Sequence, residues 1–196
     1  MIDNIDIILA SDDNYAQHVA VVAASILSNT KEKVHFHVLS DGIAVDKLTF
    51  IKQTINNLGG SISCYDLSAY QCFNELFTSG HISKAAYFRL DIANILPQSV
   101  NKVIYLDVDL LVLKDIVELW QFDLKEKPLA AVPDYGIMAS KRLMQQKKKV
   151  IGLPLNNFYF NSGVVIMDLQ QWRKYNYAEQ VIKLAAEGNF PHHDQD

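Results

Sequence analysis

Cysteine is nearly missing from this chain: Cys64 and Cys72 are the only two in 196 residues, and they do not form a Cys-x-x-Cys pair. That excludes a disulfide framework and a thiolate zinc site and makes a reduced, cytoplasmic setting the expectation. Long apolar runs are missing too. No stretch approaches the roughly 18 residues of a membrane span, and Met-Ile-Asp-Asn-Ile-Asp at the start carries no basic segment, so neither a span nor a signal peptide is expected. Positive charge is in deficit. With 18 Lys and Arg against 22 Asp and Glu, the net charge of -4 excludes the clustered basic footprint of a nucleic-acid binder. The one basic run, Lys147 to Lys149 with Lys141 and Arg142 upstream, has helical company and reads as a solvated helix face. There is no repeat, low-complexity tract or linker, so 1–196 is expected to form a single domain.

What is present is a 49% hydrophobic chain with alternating strand and helix signals. Ile5 to Ala10 reads as a strand, Ser11-Asp12-Asp13-Asn14 as a turn and Ala16 to Leu27 as a helix. The unit recurs with a strand over Val34 to Leu39 and a helix through Leu58, then a strand over Ser61 to Tyr65 ending at Asp66. A helix from Ser83 to about Ile95 precedes a long apolar strand, Lys102 to Leu113. Further along come a short Ile116 to Trp120 segment, strands Leu129 to Val132 and Gly163 to Asp168, a helix near Ala139 to Lys149, and closing helices Gln171 to Tyr175 and Tyr177 to Glu187. Repeated β/α units predict an α/β fold with a mainly parallel central sheet flanked by helices.

Asp107 and Asp109 interrupt the Lys102 to Leu113 run. Were the strand continuous, both carboxylates would point one way and Val108 into the core. Two carboxylates at one spot call for a divalent cation, and oxygen-only ligands favour Mn²⁺ or Mg²⁺. The plainer reading is a turn or cap at a strand end. Asp12, Asp41, Asp66 and Asp107 each follow a predicted strand, and ligands of open parallel sheets bind beyond strand carboxyl ends, so some of these acids should share one cleft. His35 and His37 alternate on the second strand and are read as structural.

Ala10-Ser-Asp-Asp-Asn-Tyr15, Tyr87-Phe-Arg-Leu90, Leu106-Asp-Val-Asp-Leu110, Phe160-Asn-Ser-Gly-Val164 and Asp194-Gln-Asp196, in that order, resemble glycosyltransferase family 8, the retaining sugar-nucleotide transferases that include lipopolysaccharide galactosyl- and glucosyltransferases. The resemblance implies a GT-A, Rossmann-like fold and transfer of galactose or glucose from UDP-galactose or UDP-glucose to a saccharide, with a lipooligosaccharide core as the expected acceptor. It implies a donor site of Ala10, Ser11, Asp12, Asn14, Tyr15, Ile82, Arg89, Asp107, Val108, Asp109, Asn161 and Ser162. Within it Asp12 and Asn14 would meet the uracil edge, Tyr15 and Ile82 its two faces, and Asp107 and Asp109 a Mn²⁺ or Mg²⁺ on the diphosphate. Asp134 would contact the donor sugar and Asp194 orient its hydroxyls. Gln195, a poor nucleophile, would stabilise positive charge near the anomeric carbon, which favours front-face substitution over a covalent intermediate.

Taken one at a time, several of these residues have plainer roles. Asp12 reads as an Asx turn with Tyr15 in the core, Ile82 as core, Arg89 as a snorkelling cation, Asp134 as a turn residue and Asn161 to Gly163 as a tight turn. The family's His-x-x-Gly-x-x-Lys-Pro-Trp motif, which supplies a third metal ligand, has no match in these 196 residues. The resemblance therefore implies a chain shortened at its C-terminal side. Metal and donor binding should be weaker, and any peripheral membrane contact would lie in the missing part. Two rivals follow: a UDP-sugar-binding module without turnover, and a Mg²⁺-dependent haloacid dehalogenase-type phosphatase, whose Asp-x-Asp normally ends the first strand of its domain rather than the fourth.

Overall fold

The computed structural model describes residues 4–73, 84–152, 154 and 158–187. Strands β1 (Ile5–Asp12), β2 (Val34–Asp41) and β3 (Ser61–Asp66) alternate with helices α1 (Ala16–Asn29) and α2 (Val45–Asn57). A 3-10 helix, Lys84–Asp91, runs into α3 (Ile92–Ile95), and β4 (Lys102–Leu106) and α4 (Val117–Trp120) follow. The remainder is β5 (Leu129–Pro133), α5 (Tyr135–Met138), α6 (Lys141–Ile151), β6 (Phe160–Asp168), α7 (Leu169–Lys174) and α8 (Tyr177–Glu187).

The six strands form one sheet in the order β3-β2-β1-β4-β6-β5. β1 pairs in parallel with β2 and β4, and β2 with β3. β6 is reversed, antiparallel to both β4 and β5. The sheet is thus mainly parallel as predicted, with one strand whose direction hydrophobic periodicity cannot report. β1 and β2 are buried on both faces because helices cover both. Ile5, Ile7 and Leu9 pack with α1 and α2, while Ile8 and Ala10 pack with the 3-10 helix, α7 and α8.

Two sequence expectations need correction. The helix predicted from Ser83 is wound as a 3-10 helix over Lys84–Asp91 and becomes α-helical only at Ile92–Ile95. Tyr87, Phe88, Leu90 and Asp91 are all buried, so this segment threads through the core instead of laying one apolar stripe on it. The predicted Lys102 to Leu113 strand stops at Leu106. Its last rung is the Asp107 N–H donating to the Gly163 carbonyl (2.8 Å); the chain then turns at Val108 and Asp109 and leans over α1. Val112 N–H donates to Ser25 Oγ (3.0 Å), and Val108, Leu110 and Val112 pack on the α1 and α2 side, which explains an apolar run that is not a strand. The helix predicted near Ala139 to Lys149 is present as α6, with the short α5 before it, and each is capped by its preceding side chain: Asp134 Oδ1 accepts from Ile137 N–H and Ser140 Oγ from Leu143 N–H.

Arg173 on α7 holds the corner leading into β4. Its guanidinium donates to the carbonyls of Ala93 (2.8 Å), Leu96 (3.3 Å), Pro97 (3.1 Å), Gln98 (3.4 Å) and Val100 (2.8 Å), fixing the segment between the 3-10 helix and β4. Arg173→Met should leave those carbonyls without this donor, at a cost of about 2 kcal/mol, read as a fall in Tm of roughly 4–8 °C. An unchanged melting curve would contradict the clamp.

On β2 the two histidines have all four ring nitrogens engaged. His35 meets Ser61 and Ser63 (2.8 and 2.9 Å), and His37 meets Tyr65 (3.1 Å) and Asp6 (3.0 Å). Burial, reinforced by His37 and opposed by Asp6, holds the His35 imidazole below its ordinary value. The unfolded chain therefore takes up this proton first as pH falls through about 6.5, so stability should decline below that point. In His35→Gln the slope of stability between about pH 5 and 6.5 should be shallower; an identical slope in denaturant titrations would remove His35 as its source.

Candidate active site

The carboxyl ends of β1, β2, β3, β4 and β5 and the amino end of β6 lie along one edge of the sheet. Asp12 pairs in register with Asp41, and Ser40 with Asp66. Leu9 pairs with Leu106, so Ala10 and Asp107, one step further on, are neighbours where the sheet order turns from β1 to β4. This is the switch point at which α/β sheets bind ligands. Burial, reinforced by Asp12 and Asp66 and opposed by Lys84, pushes the Asp41 carboxyl above its usual range.

Asp107 is held from several sides. Its Oδ1 accepts from Arg89 Nη2 (2.8 Å) and from the Tyr105 hydroxyl (2.9 Å). Arg89 Nη1 donates to the Ser162 carbonyl (2.8 Å) and hydroxyl (3.0 Å), its Nε to the Ala86 carbonyl (2.9 Å), and its guanidinium lies 4.4 Å from the centre of the Tyr105 ring. The Arg89 side chain is only 11% exposed, so this is a planar cation inserted among fixed acceptors. It is not snorkelling: one terminal nitrogen meets Asp107 and the other meets Ser162. A cavity of about 220 Å³, lined by Arg89, Tyr105, Ser162 and the apolar Met167, Trp172 and Val181, lies against the guanidinium-bearing side chain.

Gly163 completes the enclosure. A Cβ there would stand 2.6 Å from Asp107 Oδ2 and 3.0 Å from Asn161 Oδ1, and the latter accepts the Gly163 N–H (2.9 Å). The close approach exists because β6 bulges: Ala131 pairs with Val165 but Val132 with Asn161, which leaves Ser162, Gly163 and Val164 without partners on β5. The predicted tight turn is therefore a bulged strand.

The other predicted residues fall into groups. Asp12 forms the Asx turn, its Oδ1 accepting from the N–H groups of Asn14 (2.9 Å) and Tyr15 (3.1 Å), while Asn14 is exposed. Tyr15 is 44% exposed instead of being in the core, with its ring 5.2 Å from that of His18, so a face is open for stacking. Ser11 is buried and its hydroxyl donates to the Asp12 carbonyl (2.9 Å), while Val108 packs inward, so any contact from these two is made by the main chain. Asp109 is exposed in the turn after β4. Asp134 caps α5 and donates its N–H to the Tyr159 carbonyl (2.9 Å) beside the start of β6. Ile82, Asp194 and Gln195 lie outside the described residues. Tyr105 was missed, although a tyrosine two positions before an aspartate on a strand shares its face.

Asp107 and Asp109 are an all-oxygen pair, and among the described residues no group of three or more His, Cys, Asp or Glu converges. That donor set suits Mg²⁺ or Mn²⁺, which bind through one or two carboxylates and take remaining ligands from substrate phosphates and water. Gly163→Ala should force Asp107 aside and, at a strain of about 1–3 kcal/mol, weaken Mn²⁺ binding in calorimetry roughly tenfold or more. Tyr105→Phe should cost roughly threefold to tenfold. Unaltered affinity in Gly163→Ala would show that Asp107 is not a ligand.

The chain is 33% identical over 193 residues to General stress protein A of Bacillus subtilis, covering 97% of this chain and 63% of that protein. It is 27% identical over 177 residues to a lipopolysaccharide 1,2-glucosyltransferase of Escherichia coli, covering 90% and 51%. A galactosyltransferase crystallised with donor and acceptor sugar analogues superposes with a TM-score of 0.84 at 28% identity, over 97% of this chain and 68% of that one, and this likeness gives the GT-A fold. The chain thus spans about half to two thirds of the length of these curated relatives. Residues 6–196 match Glycosyl transferase family 8, so the phosphatase reading falls away and the chain belongs to that family of glycosyltransferases.

Proposed function

We propose that this chain carries the donor site of a retaining hexosyltransferase that moves galactose or glucose from a UDP-sugar to a saccharide, with a lipooligosaccharide core as acceptor and the cytoplasm as its setting. The observation that carries the reading is the enclosed Arg89, Tyr105, Ser162 and Asp107 cluster at the sheet's switch point, with Asp109 two residues on. Likeness to the lipopolysaccharide glucosyltransferase and to the galactosyltransferase supports the choice of donor and acceptor. No helix among the described residues is long and apolar enough to cross a membrane.

Asp107 and Asp109 would hold the Mn²⁺ or Mg²⁺. When bound, such an ion supplies a Lewis acid that neutralises charge on the departing diphosphate. The chain's own residues do the positioning. Arg89 and Tyr105 fix one oxygen of Asp107 and leave the other directed toward Gly163. Asp12 has Oδ1 committed to the turn and Oδ2 accepting from the Asn14 side-chain amide (3.5 Å); this Asp12–Asn14 pair would meet the uracil edge, exposed Tyr15 would stack on one face of the ring, and Ile82 would take the other. Asp134 and Asn161 border the place for the donor sugar. Asp194 would orient its hydroxyls and Gln195 would face the anomeric carbon, its neutral amide oxygen steadying an oxocarbenium ion during front-face substitution.

Calorimetric titration of UDP, UDP-glucose and UDP-galactose, with and without Mn²⁺, tests this reading. Manganese-dependent binding should appear in the parent chain and weaken at least about a hundredfold in Asp107→Asn/Asp109→Asn. Binding that ignores both the metal and the double substitution would refute the donor site. Binding of both sugars without transfer would instead identify a nucleotide-sugar-binding module.

A further inference from the structure

The turn after β1 holds two aspartates side by side, Asp12 and Asp13, and they face different duties. Asp12 folds back into its own loop, where its Oδ1 accepts from the Asn14 and Tyr15 N–H groups. Asp13 reaches out of the loop to the start of α2. Its Oδ1 accepts from the Ala44 N–H (2.9 Å), its Oδ2 accepts from Lys47 Nζ (2.7 Å), and the same ammonium donates to the Asp13 carbonyl (2.9 Å). Three bonds thus tie the loop to a helix 31 to 34 residues further along the chain.

The start of α2 depends on this contact. Ala44 stands at its N-cap, where alanine has no side-chain oxygen to offer, and a helix start leaves its first amides without intrahelical acceptors. Lys47 lies in the first turn, where the helix dipole favours an anion over a cation. Asp13 supplies both the missing acceptor and the opposing charge, and the Lys47 ammonium and Ala44 N–H together hold its carboxyl below the usual range. The Lys47 and Asp13 side chains are nevertheless 43% and 44% exposed, so the pair adds little to global stability. What it fixes is the place of the loop.

We infer that Asp13 and Lys47 are positioning residues for the donor's base, latching the 11–15 loop to α2 so that Asp12, Asn14 and Tyr15 are set before the nucleotide arrives. Asn14 and Tyr15 are exposed, and reading groups on an exposed loop would otherwise be ordered at the expense of binding. Asp107 is held separately by Arg89 and Tyr105, so loss of the latch should spare the diphosphate and metal end of the site. The inference deepens the donor-site reading and rests on it.

Calorimetry on the intact 196-residue chain with two ligands tests it: UDP with Mn²⁺, which carries the base, and pyrophosphate with Mn²⁺, which lacks it. Asp13→Ala should weaken UDP about tenfold and Lys47→Met about threefold. Lys47→Arg should stay within about twofold of the parent, because a guanidinium can serve the same oxygens. Pyrophosphate affinity should remain within about twofold of the parent in all three. In a Tyr15→Ala background, Asp13→Ala should weaken UDP by no more than about twofold further, since the latch acts through the loop that carries the ring. Circular dichroism melts confirm that each variant is folded at the titration temperature. Unchanged UDP affinity in Asp13→Ala and Lys47→Met, or a loss shared equally by pyrophosphate, would overturn the latch while leaving the donor site standing. A parent chain that binds neither ligand would refute the donor-site reading, and the latch with it.

Discussion

A single guanidinium, that of Arg89, ties together stretches of chain that share no sequence neighbourhood. It reaches Asp107 beyond β4, Ser162 in the bulge of β6 and the Ala86 carbonyl of its own 3-10 helix, and it lies against the Tyr105 ring. A cation 11% exposed is tolerable only when its donors meet acceptors, and these acceptors are delivered by separate elements. The β6 bulge brings Ser162 and Gly163 against Asp107, and the Arg173 clamp fixes the corner from which β4 departs. The geometry of Asp107 is therefore a property of the whole sheet edge.

The same constraint explains why the site tolerates so little bulk. Gly163 leaves no room for a Cβ beside Asp107 Oδ2, and the Asp107 N–H is already bonded to the Gly163 carbonyl. Asp109, two residues on, lies in the turn after β4 and is exposed.

Much of this was legible in the chain itself. Apolar runs ending in acids located β1 to β3 and the start of β4, and the ordered motifs pointed to the family that the comparison establishes. What escaped was non-local. Nothing in the Lys102 to Leu113 run shows that pairing stops at Leu106, because Val108, Leu110 and Val112 are apolar for contact with the α1 side and not for a strand. The direction of β6 follows from connections rather than periodicity. The 3-10 winding of Lys84–Asp91 follows from burial on several sides at once. The Arg89–Asp107 pair joins residues 18 apart whose meeting depends on the sheet order.

Crystals of the chain grown with UDP and Mn²⁺ and measured at an anomalous wavelength test the central claim most directly. The account predicts one anomalous peak within about 2.0–2.3 Å of carboxylate oxygens of both Asp107 and Asp109, touching the diphosphate, with Arg89 still bonded to Asp107. UDP seated at the switch point with no metal beside Asp107, or the ion bound elsewhere, would contradict it.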